Sequence, residues 1–339
     1  MIDGFCLFFI VKKHYIYIKL IFINYMKKIL WLAPMDGFTD AACRSIVQDI
    51  RNEYWDKQYD FFLWTEFMTA DGFFRNPEGV VHHLETTPNQ KNLIAQIFGG
   101  NEETLLYTAK RLNKEYKNRF IGIELNMGCP ANNVMKSWGW AKLIENKEKT
   151  LEIIKALRKS IDIPFSIKTR TGTNQQDKIN QTEFLLKASN YVDMITIHGR
   201  TTAQGYGPHP DRNFIYQLKE QLPNQKIVGN GGITSYEDIE KMIGNLDGVM
   251  IWQAAIGNPW IFTPHPPTLQ EKLETILNHI KIIKEKNSSE ENLQRSLMEF
   301  RKHLYSYVKG IPGSKEFKTE CNQIKDYQTL VNHIKTFFK

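Results

Sequence analysis

The sequence contains no pair of neighbouring cysteines. Its four cysteines, Cys6, Cys43, Cys129 and Cys321, are scattered over 339 residues without a CxxC pair. This spacing argues against a structural zinc site and against a disulfide framework, and it is typical of a reducing compartment. We therefore predict a cytoplasmic location and no bound metal. A lone cysteine is by default a small buried apolar residue, and only Cys129 has neighbours that argue otherwise.

The sequence also lacks a hydrophobic run long enough to cross a membrane. Residues 1–25 are apolar and aromatic, but Lys12, Lys13, His14 and Lys19 interrupt them. No run therefore reaches the roughly 20 residues that a membrane helix needs. No small-residue cleavage site follows, which argues against a secretory signal. We interpret residues 1–25 as a dispensable extension or upstream readthrough, with Met26 as the working start, and predict no membrane partner.

A large excess of charge of one sign is absent too. The formal net charge is +7 and the isoelectric point is about 9.0, which favours a polyanionic partner only modestly. The hydrophobic fraction of 42% permits a large buried core and argues against disorder. A chain of 339 residues accommodates one α/β barrel with a small appendage.

Short β-branched or aromatic runs alternate with amphipathic segments through residues 26–263. We predict strands at 29–35, 61–66, 93–98, 121–126, 165–169, 194–198, 226–230 and 248–252. Helical spacing of apolar residues predicts helices that include 102–116, 151–160, 182–190 and 236–243. Eight alternating strands predict a closed (β/α)₈ TIM barrel. The alternative, an open doubly wound sheet, is disfavoured because no glycine-rich dinucleotide fingerprint follows the first strand.

After the predicted barrel, the alternation of strand and helix patterns ends and only helical patterns follow. Pro264, Pro266 and Pro267 mark a linker, and residues 268–339 are predicted to form an all-α helical domain. Two apolar stripes at helical spacing are interpreted as the core of this helical domain rather than as a binding face. The stripes consist of Leu273, Ile276, Leu277, Ile280 and Ile283, and of Leu297, Phe300, Leu304 and Val308.

Polar and reactive residues follow the predicted strands at their carboxyl ends, where barrel enzymes carry their active sites. The residues in chain order are Pro34, Met35, Glu66, Gln96, Asn126, Cys129, Lys168, Arg170, His198, Arg200, Asn230, Gly231, Gly232 and Gln253. Considered alone, Glu66 is equally well interpreted as a buried carboxylate whose hydrogen bonds are all formed. His198 is equally well interpreted as a histidine packed in the core.

Lys168 can stabilise negative charge on a reduced flavin, and Gln96 can hydrogen-bond the pyrimidine edge of its ring. Asn230, Gly231 and Gly232 permit close backbone approach to a phosphate, to which His198 and Arg200 can add charge.

Cys129 precedes a proline in a loop and is expected to be displayed at the barrel mouth. A thiol with an ordinary pKa stays mostly protonated at neutral pH, so it can act as a general acid without special tuning. The competing interpretation is a nucleophile, which would need a base within hydrogen-bond range. His198 is the only nearby candidate for that base by strand position, and we favour the acid.

Several motifs together resemble the tRNA-dihydrouridine synthases, most closely their bacterial B branch. The resemblance runs from about residue 29 to the C-terminus. The motifs are LAPMDGFTD at 32–40, NMGCP at 126–130, IHGRT at 197–201, QGY at 204–206, GNGGI at 229–233, RKHL at 301–304 and KGIPG at 309–313. The resemblance implies an FMN enzyme that uses NADPH to reduce the C5–C6 bond of selected uridines in tRNA.

The resemblance also implies roles for individual residues. Cys129 would protonate C5 as hydride passes from flavin N5 to C6, and Asn126, Lys168 and Arg170 would bind the substrate. The residues that would bind FMN are Pro34, Met35, Gln96, Lys168, His198, Asn230, Gly231, Gly232 and Gln253. The helical domain would grip tRNA, with Lys281, Lys284, Arg295, Arg301 and Lys302 as candidate phosphate contacts or as ordinary solvated side chains. The target base would have to leave its stack to reach the flavin.

Two segments depart from the pattern of the family. The family usually carries Gly-Arg-Gly or Gly-Arg-Ala after the eighth strand, whereas this chain has Trp252, Gln253 and Ala254. The change removes a charged partner of the FMN phosphate, although Gln253 can still donate a hydrogen bond. The loop after Cys129 carries Trp138 and Trp140, which would either stack on a base or close the loop over the barrel.

The sequence leaves two other functions open. The first is an FMN-dependent barrel enzyme that reduces a free pyrimidine, but such a small substrate does not require the helical domain. A tRNA-binding protein of the same fold that has lost FMN and activity through the change at Gln253 is the other.

Overall fold

The computed structural model describes residues 27–54, 58–128, 143, 145–207 and 209–339. The predicted extension at 1–25, the predicted acid Cys129, and Trp138 and Trp140 lie outside the described residues. The expectations for them therefore remain predictions.

Within the described residues, eight parallel strands form a closed barrel. They are β1 Lys28–Leu32, β2 Tyr59–Trp64, β3 Leu93–Phe98, β4 Gly122–Asn126, β5 Phe165–Arg170, β6 Met194–His198, β7 Lys226–Asn230 and β8 Gly248–Ile251. Each strand pairs with the next, and β8 pairs with β1, which closes the ring. A two-residue strand, Met68–Thr69, extends the sheet beside the end of β3. The predicted TIM barrel is confirmed, with strand positions close to those expected.

Helices cover the outside of the barrel between its strands. They are α1 Ala41–Glu53, α2 Ala70–Arg75, α3 Pro77–Val80, α4 Glu102–Glu115, α5 Lys147–Ser160, α6 Lys178–Ala188, α7 Arg212–Gln221 and α8 Glu237–Ile243. Helix α5 begins four residues before the predicted start. The Asn146 side chain caps it by accepting from the Lys149 N–H, and this polar first turn carries no apolar periodicity. In the described part of the chain, no helix has the length and apolar character to span a membrane.

The C-terminal segment is helical, as predicted. Its helices are α9 Leu269–Lys286, α10 Glu290–Tyr307, α11 Ser314–Cys321 and α12 Tyr327–Phe337. Ile280 and Leu304 from the two predicted stripes are fully buried in one apolar cluster, which confirms that the stripes form a core. The cluster also contains Ile46 of α1 and Trp260, so the helices share their core with the outer face of a barrel helix. A domain boundary between residues 263 and 268 remains a prediction.

His303 of α10 joins the C-terminal helices to two loops of the barrel. Its Nε2 donates to the carbonyl oxygen of Phe38, 2.8 Å away, and its Nδ1 accepts from the Gly257 N–H at 3.3 Å. Burial lowers the pKa of His303 to about 4, although the Phe38 carbonyl acts in the opposite direction. The imidazole is therefore neutral at pH 7, and both of its nitrogens are used to hold barrel loops against the helix.

This lowered pKa predicts a pH-dependent stability. As the pH falls from 7.5 to 5, the unfolded chain binds a proton at residue 303 before the folded chain does, so folding becomes less favourable. We expect His303 to contribute a loss of about 2 kcal/mol over that range. Urea titrations at the two pH values measure the loss, and in His303→Gln it should shrink by that amount.

His333→Gln, on α12, is the matched control for this experiment. It keeps the His303 contacts, so the loss of unfolding free energy that we assign to His303 should persist in this variant. An equal pH dependence in His303→Gln and the wild type would contradict the assignment.

Candidate active site

The loop after β1 carries Pro34 and Met35, the first residues predicted to bind flavin. Both are buried, and the Met35 N–H donates to Thr39 Oγ1 at 2.8 Å. The Gly37 N–H donates to Glu66 Oε1 at 2.7 Å. Glu66 therefore fits the interpretation of a satisfied buried carboxylate, since it holds this loop at the barrel mouth.

A polar layer lies inside the barrel beneath its mouth. Gln96 on β3 and Glu124 on β4 are both fully buried, and Gln96 Nε2 donates to Glu124 Oε1 at 2.6 Å. The hydroxyls of Ser166 and Thr196 each lie 3.4 Å from Glu124 Oε2. Burial raises the pKa of Glu124, and the positive charge of Lys168 opposes this rise. The layer thus holds a carboxyl group with increased proton affinity close to the predicted flavin site.

Asn126 connects this layer to the turn that leads to Cys129. Asn126 Nδ2 donates to Gln96 Oε1 at 3.0 Å, and the Gly128 N–H donates to Asn126 Oδ1 at 2.9 Å. Arg170 Nε donates to the Gly128 carbonyl oxygen at 2.7 Å. The backbone immediately before Cys129 is therefore held by side chains from β4 and β5.

Lys168 and Arg170, both predicted to bind substrate, occupy different environments at the end of β5. Lys168 pairs with Asn126 in the strand register, and its side chain is half-buried. Arg170 is buried, and its Nη1 donates to the carbonyl oxygens of Thr201 and Gly205, each at 3.0 Å. Arg170 thus braces the loops around the mouth, whereas Lys168 is the more accessible cation.

His198 at the end of β6 offers a buried hydrogen-bond donor. Its Nε2 lies 3.4 Å from Arg200 Nη1, and because a guanidinium can only donate, Nε2 accepts and Nδ1 carries the proton. Among the described residues, Nδ1 has no hydrogen-bond partner. Burial lowers the pKa of His198 to about 2, reinforced by the charges of Lys168, Arg170 and Arg200. The ring is therefore neutral, and its N–H is available to a bound molecule.

A cavity of about 930 Å³ opens beside the ends of β7 and β8. Arg200, Gly231, Gly232 and Gln253, which were all placed at the phosphate end of the predicted flavin site, line it. Gly231 and Gly232 have φ angles of +104° and +78°, which residues with side chains rarely adopt. A Cβ at Gly231 would lie 3.1 Å from His198 Nε2. The volume lies within the range of about 300–1,000 Å³ that is usual for ligand pockets.

The segment after β8 places an indole in the barrel mouth. The Trp252 ring lies 4.6 Å from the Tyr206 ring, and it meets the His198 ring edge-on at 6.3 Å. Gln253 is exposed and lines the cavity. Asn230 is buried instead, and its Nδ2 donates to a backbone carbonyl of β8 at 2.9 Å. Asn230 thus shapes the site through the backbone of the neighbouring strand.

The basic residues predicted to contact tRNA are not equivalent in the structure. Arg301 Nη1 and Nη2 donate to the carbonyl oxygens of Asn322 and Ile324, so Arg301 also stabilises the turn after α11. Lys302 reaches the barrel mouth, where its Nζ lies 4.8 Å from the centre of the Phe38 ring. Lys281 and Arg295 are about two-thirds exposed on α9 and α10.

A family model described as dihydrouridine synthase (Dus) matches residues 31–339. The chain belongs to the dihydrouridine synthase family. The resemblance inferred from the motifs is thereby confirmed.

Curated relatives match over nearly their full length. A probable tRNA-dihydrouridine synthase from Aquifex aeolicus is 29% identical over 325 residues, which cover 92% of this chain and 96% of that protein. The tRNA-dihydrouridine synthase B of Pasteurella multocida is 28% identical and covers 92% of this chain and 93% of its own. Among solved structures, a variant of the Sulfolobus solfataricus 2-keto-3-deoxygluconate aldolase is 12% identical, with a TM-score of 0.42 over 91% of this chain and 96% of its own.

Glu124 was not predicted from the sequence. A signal was present, because a carboxylate stands within the buried strand of residues 122–126, between Ile123 and Leu125. Such a group needs partners inside the barrel, and the structure provides them from three other strands.

Loss of the Glu124 carboxylate should destabilise the barrel. Glu124→Ala leaves the Gln96 amide N–H buried without its acceptor, so we expect a cost of about 1–3 kcal/mol plus a contribution from the cavity. Glu124→Gln keeps an acceptor oxygen and should cost clearly less. Urea unfolding at pH 7 measures both variants, and equal costs would show that the hydrogen bond to Gln96 is unimportant.

Proposed function

We propose that this chain is an FMN-dependent tRNA-dihydrouridine synthase, an enzyme that reduces the C5–C6 bond of specific uridines in tRNA with NADPH as the reductant. Its family supports this function. The single structural observation that carries the proposal is the held turn before Cys129. The Gly128 N–H donates a hydrogen bond to Asn126, and the Gly128 carbonyl oxygen accepts one from Arg170. The turn follows β4, whose last residue lies beside Lys168 in the strand register.

The described residues fit a bound flavin. His198 presents a buried N–H without a partner among the described residues, and Gly231 and Gly232 leave their backbone open to the cavity. Both features suit a ligand that brings acceptor oxygens and a phosphate. We assign Pro34, Met35, Gln96, Lys168, His198, Asn230, Gly231, Gly232 and Gln253 to the binding of FMN.

The residues of the chain would then orient the uracil and deliver one proton. Bound FMN would supply the hydride that reaches C6 of the uracil. The Cys129 thiol would protonate C5, and Asn126 and Lys168 would hold the ring in place. The Lys168 ammonium would also stabilise negative charge on the reduced cofactor. Arg170 would act mainly by keeping the turn before Cys129 in position.

The C-terminal helices would bind the tRNA. Lys302 lies at the barrel mouth, while Lys281 and Arg295 are exposed further along α9 and α10. Phosphate contacts of this kind fix the orientation of a nucleic acid without reading its sequence. The helices would thus hold the tRNA while the target uridine leaves its stack and enters the barrel.

A flavin-free tRNA-binding protein is the second candidate, because Gln253 is uncharged where the family usually has an arginine. The two candidates differ in colour. The proposed enzyme should purify yellow or bind added FMN, whereas a colourless protein that does not take up FMN would favour the second candidate.

Replacement of the predicted acid tests the mechanism directly. We expect Cys129→Ala to reduce the rate of dihydrouridine formation by at least about 100-fold, because a general acid typically contributes 10²- to 10⁴-fold. Binding of FMN and of tRNA should change little. The measurement is dihydrouridine formed in tRNA under single-turnover conditions, with flavin content and tRNA affinity recorded in parallel.

Cys6→Ala is the control for this experiment, because Cys6 lies in the extension predicted to be dispensable. It should retain the wild-type rate. An unchanged rate in Cys129→Ala would exclude the acid role. Absence of dihydrouridine formation by the wild type with FMN, NADPH and unmodified tRNA would contradict the proposed function.

A further inference from the structure

The cavity beside β7 and β8 extends beyond the barrel to the C-terminal helices. Besides Gly231, Gly232 and Gln253, its lining includes Lys272 of α9 and Lys309, which follows the end of α10. One cavity therefore combines glycine backbone of the barrel with two lysines from a segment more than 30 residues away in the sequence.

The charges that line this cavity are predominantly positive. Arg200, Lys272 and Lys309 are cationic, whereas Asp238 is the one acidic residue among the described lining residues. Asp238 accepts hydrogen bonds from the Thr234 hydroxyl and from the backbone N–H groups of Thr234 and Ser235, and these bonds lower its pKa. The cavity thus favours an anion.

The two lysines are not neutralised by ion pairs within the described part of the chain. No carboxylate there forms a salt bridge with Lys272 or Lys309. Glu271, the immediate neighbour of Lys272, is bound elsewhere, since it accepts from the Thr268 N–H and from Tyr54 Oη. The positive charge of the lysines is therefore directed toward solvent or toward a ligand of the cavity.

The position of Lys309 relative to the barrel is set by direct backbone packing. A Cβ at Gly257 would overlap the His303 carbonyl oxygen and lie 2.8 Å from the Tyr307 backbone nitrogen. The Gly257 N–H also donates to His303 Nδ1. The loop after β8 and the end of α10 are thus in close contact, two residues before Lys309.

We infer that Lys309 and Lys272 bind the phosphate of the flavin in this cavity, beside position 253, where this chain carries an uncharged glutamine. This inference rests on the proposed function. The backbone N–H groups of Gly231 and Gly232 contact the phosphate from the barrel side, and the two ammonium groups balance its charge from the helix side. Flavin binding consequently depends on the C-terminal helices as well as on the barrel.

Comparison of FMN with riboflavin isolates the phosphate. The two flavins differ only by that group, so a phosphate contact strengthens FMN binding alone. The affinities are measured by quenching of flavin fluorescence on titration of the full-length chain after removal of its flavin. The Lys272→Ala/Lys309→Ala double variant should bind FMN at least about tenfold more weakly, which corresponds to 1.4 kcal/mol. Riboflavin affinity should stay within about twofold of the wild type.

Two further variants control the result. Lys335→Ala removes the same charge from the exposed end of α12, away from the cavity, and should change neither affinity. Gln253→Arg, introduced into the double variant, should restore FMN affinity without a change in riboflavin affinity. Added salt should weaken FMN binding to the wild type more than to the double variant.

The outcomes separate this inference from the proposed function. If the wild type binds neither flavin, the proposed function fails and the inference fails with it. If the wild type binds FMN more tightly than riboflavin but the double variant behaves identically, the inference alone is wrong. A double variant that loses tRNA affinity and keeps FMN affinity would assign the lysines to tRNA phosphates and would also overturn the inference.

Discussion

A chain of hydrogen bonds that starts at a buried carboxylate supports the candidate active site. Glu124 accepts from Gln96, Gln96 accepts from Asn126, and Asn126 accepts from the Gly128 N–H. Each bond joins neighbouring strands or the turn that follows one of them. The turn at the mouth of the barrel is therefore fixed in position by the packed interior. Arg170 completes the arrangement from β5 by binding the Gly128 carbonyl. An unpaired polar group in this layer would be costly, which ties the geometry of the turn to the stability of the fold.

The C-terminal helices are part of this arrangement rather than a separate attachment. His303 binds the loop after β1 and the loop after β8, and α1 contributes Ile46 to the helical core. The two loops carry residues that we assign to FMN. A change in the packing of α10 would therefore be transmitted to both loops of the candidate flavin site through the direct contacts of His303.

The sequence predicted the barrel well because its strands are short, apolar and bounded by turn residues, and because their number closes a ring. It also predicted which faces of α9 and α10 are buried, since helical periodicity records that directly. The start of α5 was less accurate, because a polar capping turn leaves no periodic signal. Glu124 was missed, because a single carboxylate in a strand gains meaning only from partners on other strands. Glu66 remained ambiguous from the sequence alone for the same reason.

The amino-acid sequence by itself determined the family and the fold class, and it predicted many of the residues that we assign to chemistry, because motifs and periodicity are local properties of the chain. Only the tertiary structure decided how those residues are used. It separated Lys168, half-buried at the mouth, from Arg170, which braces loops, and it left His198 with an unpartnered N–H among the described residues. It also placed Lys272 and Lys309 on the cavity of the barrel. The physical reason is that burial, hydrogen-bond partners and electrostatic surroundings come from segments distant in sequence, which meet only when the barrel closes and the C-terminal helices pack against it.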